Sequence, residues 1–171
     1  MKANITTIPT VSATGTQLKF AWILAAKTDR ITKSLKLPRS IATLRSLSGW
    51  TTSETMIDYF DRVLLPFTNR QPCALLLDSF AAHWTVDVRK AAFDRKIELI
   101  EIPKGTTGEI QPLDVSFNAQ YKRNRQQILR DSIANHELNL EERKQVVLRC
   151  AKAASNVTRK IILAGWKPLL N

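Results

Sequence analysis

Two acids, Asp78 and Asp114, are the residues whose types and setting best suit chemistry. Asp78 closes the apolar run Cys73-Ala74-Leu75-Leu76-Leu77, and Asp114 follows Gln111-Pro112-Leu113 at the start of a helical pattern. In an open α/β sheet, ligands gather outside the carboxyl ends of the parallel strands. Both carboxylates are therefore expected on one edge of the sheet, although 35 residues lie between them. Two bare carboxylates at short range repel, and one of their pKa values rises. A divalent cation removes that conflict, and Mg²⁺ favours one or two carboxylates together with phosphate oxygens and water. Two such ions about 3.5–4 Å apart can stabilise the entering and leaving oxygens of an in-line phosphoryl displacement.

Spacing alone leaves other readings open. Asp78 could cap the turn that follows it, and Asp114 could favour a helix N-terminus by charge–dipole attraction. His83, five residues after Asp78, could orient a carboxylate, touch phosphate or act as a structural hydrogen-bonder. His136 has no partner that the sequence identifies.

The elements that must position these residues can be read from periodicity. Asn4–Ser12, weakened by Pro9, and Gln17–Ala26 read as strands joined by a Gly-containing turn at Ala13–Thr16. Thr28–Gly49 has little apolar periodicity and reads as a loop. Thr51-Thr52-Ser53-Glu54 fits a capping box. Met56, Ile57, Phe60, Val63 and Leu64 then mark one face of a helix that Pro66 is expected to end. Cys73–Leu77 reads as a buried strand, Trp84–Lys96 as a helix and Ile97–Ile102 as a strand. That order is a βαβ unit with parallel strands. Pro103–Ile110 reads as a Gly/Thr loop, and a helix should run from Gln111 to about Asp131. Further helices are expected over Asn139–Ala153 and Val157–Ala164. Trp22, Phe60, Phe93 and Phe117 fall on apolar faces and read as core.

Composition narrows the function classes. The chain has 171 residues, enough for one domain with a helical tail, and 44% of them are hydrophobic. No stretch has the length and apolarity of a membrane span, and the first residues lack the apolar core of a secretory signal. Cys73 and Cys150 form no CxxC pattern, which argues against a disulfide scaffold and a Cys-based zinc site. The formal net charge is +11. Residues 1–50 hold 8 basic and 1 acidic residue, residues 51–120 hold 7 and 10, and residues 121–171 hold 11 and 4. An acidic centre thus lies between basic flanks, which polyanion binding would explain. Arg30, Lys33, Lys36, Arg39 and Arg45 could follow a phosphate backbone. Lys122, Arg123, Arg125 and Arg130 are better placed, on the helix that follows Asp114. With 5 Gly and no GxGxxG, a glycine-loop phosphate binder is disfavoured.

Leu75–His83, ending Asp78-Ser79-Phe80-Ala81-Ala82-His83, resembles the second catalytic block of DDE superfamily endonucleases of the pogo/jerky/Tigger type. Ile100–Thr107 followed by Gln111-Pro112-Leu113-Asp114 resembles their third block. Gly49-Trp50-Thr51-Thr52 is similar to their Gly-Trp segment, and Val157, Ile161, Gly165 and Trp166 to their C-terminal helical tail. The resemblance spans about Asn4 to Pro168. It implies an α/β, ribonuclease-H-like mixed sheet flanked by helices, with residues 1–131 as the endonuclease core and 132–171 as the tail. It implies Mg²⁺- or Mn²⁺-dependent DNA cleavage and strand transfer, with Asp78 and Asp114 as catalytic metal ligands and a nuclear location. His83, Lys104, Lys122, Arg123 and Arg125 are the candidate nucleic-acid contacts. The family's first acid precedes the segment matching Asn4–Ser12, and no Asp or Glu occurs before Asp29. The chain is therefore expected to lack the first strand and to bind metal weakly. A non-catalytic DNA-binding or interaction module on the same fold is the alternative.

Overall fold

Pro9 decides where the first strand stops. The structure, a computed structural model, describes residues 5–28, 30, 34–135 and 143–170. Asp29, Lys33, His136 and residues 139–142 of the expected tail helix lie outside them. Strand β1 (Ile5–Ile8) ends before Pro9, which has no N–H for a ladder. The chain turns at Ser12–Thr16, where Ser12 N–H donates to Thr16 O at 2.8 Å. Gly15 has φ +83°, a left-handed conformation that glycine adopts at no steric cost. Strand β2 (Phe20–Ala25) returns antiparallel, pairing Ile5 with Leu24 and Ile8 with Ala21. The expected hairpin is present, with shorter strands.

The 28–49 segment corrects the sequence reading. Ile41–Ser46 forms β3, the second neighbour of β2. Phe20 N–H donates to Ser40 O at 3.1 Å and Ala26 N–H to Ser46 O at 3.0 Å. The sequence offset is the same in both bonds, so β2 and β3 run parallel. Ala42, Leu44 and Ser46 face inward. Their period of two is faint because two of the three are small and one is polar. Trp22 Nε1 donates to Thr43 Oγ1 at 2.9 Å and ties the pair together. Arg45 lies on this strand and not in a loop.

Helix α1 (Ser53–Tyr59) is capped by Thr52, and its box closes on Thr55, not on Glu54. Thr55 N–H donates to Thr52 Oγ1 at 3.3 Å and Thr52 N–H to Thr55 Oγ1 at 2.8 Å. The helix continues through a π turn, Phe60–Leu64, into a last turn, Leu65–Phe67. Pro66 therefore does not end it. Leu65 N–H reaches back five residues to Phe60 O, a widened turn beside a ring that would crowd the carbonyl four residues before it.

Strand β4 (Cys73–Leu77), helix α2 (Val86–Asp94) and strand β5 (Ile97–Glu101) make the expected parallel βαβ unit. Its register runs from Cys73↔Ile97 to Leu77↔Glu101. Only Leu75 of β4 is buried, so the strand is more open than its apolar run suggests. Helix α2 buries Val88, Ala91 and Ala92. Phe93 is one position off that stripe and is 83% exposed, which corrects its assignment to the core. Arg95 caps the helix and forms a two-pronged pair with Asp61, at 2.8 and 2.9 Å. The Arg95 guanidinium holds the Asp61 carboxyl below its ordinary value, and Asp61 in turn raises Arg95. Burial pushes the Cys73 thiol up.

Among the described residues the strands stand in two sheets, β1-β2-β3 and β4-β5, so the class is α/β with small sheets and helices. Contacts divide the chain into two units. One comprises Met1–Ile8, Ala21–Lys36 and Ala42–Thr107, with Trp22, Tyr59, Phe60, Val63 and Val88 in its core. The other comprises Pro9–Phe20, Leu37–Ile41 and Gly108–Asn171. A helical turn at Thr107–Ile110, inside the expected loop, leads into it.

The second unit is mostly helical. A π turn, Leu113–Phe117, opens helix α3 (Asn118–Ala134), followed by α4 (Arg143–Ser155) and α5 (Arg159–Leu170). Helix α5 outruns the expected Val157–Ala164 and contains Pro168 in its last turn. Phe117, Tyr121, Val147, Cys150, Ala153 and Ile162 are buried here. Asn124 Nδ2 donates to Ala153 O at 2.9 Å, joining α3 to α4.

Candidate active site

Asp78 stands immediately after β4, at the carboxyl end of the parallel pair. That is the sheet edge where an α/β fold collects ligands. Its carboxylate is held on one oxygen. Phe80 N–H donates to Oδ1 at 3.2 Å, and His83 Nδ1 lies 2.9 Å from the same atom. A carboxylate only accepts, so Nδ1 carries the proton of that bond. No hydrogen bond among the described residues reaches Oδ2. The backbone is pinned as well, because Trp84 Nε1 donates to Asp78 O at 2.8 Å. The 3-10 turn Ala81–His83 brings His83 back to the aspartate, and the Phe80 ring meets the imidazole edge-on at 5.3 Å.

Asp114 is the second residue of the π turn. Asn118 Nδ2 donates to Asp114 Oδ1 at 2.7 Å, one helical step along. This carboxylate too has one oxygen engaged and one without a described partner. Asp114 N–H and Val115 N–H both donate to Gln111 O at 2.9 Å, which fixes the entry to the turn.

The candidate cations fall in two places. Lys104 follows β5 off the edge that carries Asp78, in an exposed turn where Thr106 N–H donates to Pro103 O at 3.2 Å. Lys122, Arg123 and Arg125 are exposed on α3. Arg125 lies over the Tyr121 ring at 5.8 Å from its centre. The structure thus brings His83 to Asp78 and places three cations on the helix that follows the Asp114 turn.

Sequence reasoning missed several supporting groups. Trp84, read only as the start of a helix, holds the Asp78 carbonyl with its indole. Asn118 was legible in principle, since residues four apart on a helix are neighbours. Ser116 carried no local signal, and Gly165, assigned to the tail by resemblance, gave no sign of the contact it makes with a distant segment.

The donor chemistry fits a hard cation. Both acids offer a carboxylate oxygen that no hydrogen bond among the described residues engages, and Mg²⁺ can be held by one or two carboxylates with the remaining positions filled by phosphate and water. Among the described residues no group of three or more His, Cys, Asp or Glu converges, so a three-acid cage is not formed. No helix among them is long and apolar enough to cross a membrane.

A family model described as DDE superfamily endonuclease matches residues 2–166. No curated protein and no solved structure matches the chain.

Proposed function

Because the chain belongs to the DDE superfamily endonuclease family, we propose that it is a transposase-derived nuclease domain of the pogo/jerky/Tigger type. In this reading it binds DNA in the nucleus and holds Mg²⁺ or Mn²⁺ weakly through Asp78 and Asp114. The observation that carries the reading is Asp78 itself, at a parallel-strand carboxyl end with Oδ1 held and Oδ2 without a partner among the described residues. A bound ion would polarise a phosphodiester oxygen and stabilise charge on the leaving oxygen. The protein's own part is positional. His83 and the Phe80 amide aim Asp78, Asn118 aims Asp114, and Lys104, Lys122, Arg123 and Arg125 neutralise the DNA backbone.

A second reading rests on a specific observation. None of β1, β2 or β3 carries an Asp or Glu. With two acids instead of three, charge and geometry for a second ion are reduced, which favours a DNA-binding module with little or no cleavage.

Plasmid DNA incubated with the purified chain and Mn²⁺ or Mg²⁺ tests both. The expected result is salt-sensitive binding to any duplex with little nicking. Robust nicking that disappears in Asp78→Ala would establish the catalytic reading and dispense with a third acid. Absence of DNA binding at low salt would overturn both.

A further inference from the structure

Helix α5 meets the turn that carries Asp114 at two points. Ser116 Oγ donates to Ile161 O at 2.7 Å, across 45 positions of sequence. Gly165, one helical step beyond Ile161, is buried. A Cβ there would stand 2.6 Å from Ser116 Oγ and would collide with the Pro112 carbonyl. The Pro112 carbonyl is backbone, so it cannot swing aside as a flexible side chain could. The helix can lie this close only because residue 165 has no side chain.

The turn it touches is the irregular one. Asn118 N–H bonds to Leu113 O, five residues back, so Leu113–Phe117 is a single π turn set into a longer helix. Such turns are uncommon and cluster at functional sites. Asp114 lies inside it, and Asn118, which bonds its carboxylate, is the first residue beyond it. Ser116 is the one residue of the turn whose side chain bonds α5. Ile162 and Phe117, next to the two contact points, are both buried, so the junction is packed as well as bonded.

We infer that Ser116 and Gly165 are positioning residues for Asp114: they lock the π turn against α5 and thereby set the direction of the Asp114 carboxylate. The functional half of this inference rests on Asp114 being a cation ligand, while the structural half does not. A regular α turn would place Asn118 N–H on Asp114 O instead of Leu113 O and would rotate Asp114 relative to α3.

The test uses Ser116→Ala, Ser116→Thr and Gly165→Ala in the full chain, with Val147→Ala as a stability-matched control. Val147 is buried in the same unit and is remote in sequence from the turn. Amide hydrogen exchange and NMR shifts of residues 113–118 report the turn, and a Mn²⁺ titration reports the ligand. Ser116→Ala and Gly165→Ala should alter the 113–118 signals and weaken Mn²⁺ binding about tenfold, in the range seen when supporting partners of metal ligands are removed. Ser116→Thr should restore both, and Val147→Ala should change neither. Unaltered 113–118 signals in both Ser116→Ala and Gly165→Ala would overturn the inference. So would Mn²⁺ affinity falling equally in Val147→Ala. If wild-type protein binds no Mn²⁺ while the 113–118 signals respond as expected, the metal reading fails and the positioning of the turn stands.

Discussion

His83 Nδ1 lies 2.9 Å from Asp78 Oδ1, and the imidazole is the donor of that bond. The arrangement leaves Oδ2 as the oxygen available to a ligand. Replacing His83 by Ala should cost about 1 kcal/mol of stability, the usual net worth of one hydrogen bond. It should weaken Mn²⁺ binding by about 10-fold or more. Calorimetric titration of the variant checks this, and an unchanged affinity would show that the imidazole does not orient the carboxylate.

The charge on α3 should be read out by salt. Replacing Lys122, Arg123 and Arg125 with Ala should weaken binding to all duplex sequences alike. Each lost phosphate contact should flatten the log–log salt slope by about 0.9, so the triple variant should lose up to about 3 units. Filter binding over a salt series measures it. Equal slopes for wild type and variant would mean that these side chains point only to solvent.

Asp61 gives a pH dependence with a definite sign. Its folded carboxyl lies below the ordinary value of 3.8 because Arg95 hydrogen-bonds and attracts it. The pair therefore contributes stability above the unfolded pKa and loses it as pH falls through the folded one. Both partners are partly exposed, so solvent screening holds the contribution to about 0.5–1 kcal/mol. Asp61→Asn should be less stable than wild type by that amount at pH 7, with the gap closing below about pH 4. Denaturant unfolding at several pH values checks it, and a gap that widens in acid would have the wrong sign.

The bond from Trp22 Nε1 to Thr43 Oγ1 tests the strand that the sequence concealed. Thr43→Val keeps the β-branched shape and removes the acceptor. It should cost about 1–3 kcal/mol, because a buried indole N–H loses its partner. A neutral result would argue against β3 lying beside β2.

What could be read in advance, and what could not, follows from the range of the forces involved. The βαβ unit and the helix after Asp114 announce themselves locally, through alternation, apolar stripes and turn residues. Asp78 and Asp114 were legible because each ends or begins such an element. Strand β3 was not, since its inward positions, Ala42, Leu44 and Ser46, make a weak pattern and only the bonds to β2 define it. Phe93 misled because an aromatic one place off a helical stripe looks apolar in sequence and faces water in the fold. The π turn before Pro66 sits beside a proline that reads in sequence as a stop, and the turn that holds Asp114 lies against a helix distant in sequence, which no local pattern announces.

Crystals soaked in Mn²⁺ and measured at its absorption edge decide whether Asp78 and Asp114 hold one ion between them. One anomalous peak is expected, with Asp78 and Asp114 each contributing an oxygen at direct-ligand distance, about 2.0–2.2 Å by analogy with other hard divalent ions. The peak should vanish in Asp78→Asn and in Asp114→Asn. A peak ligated elsewhere, or one that persists in both variants, would contradict it.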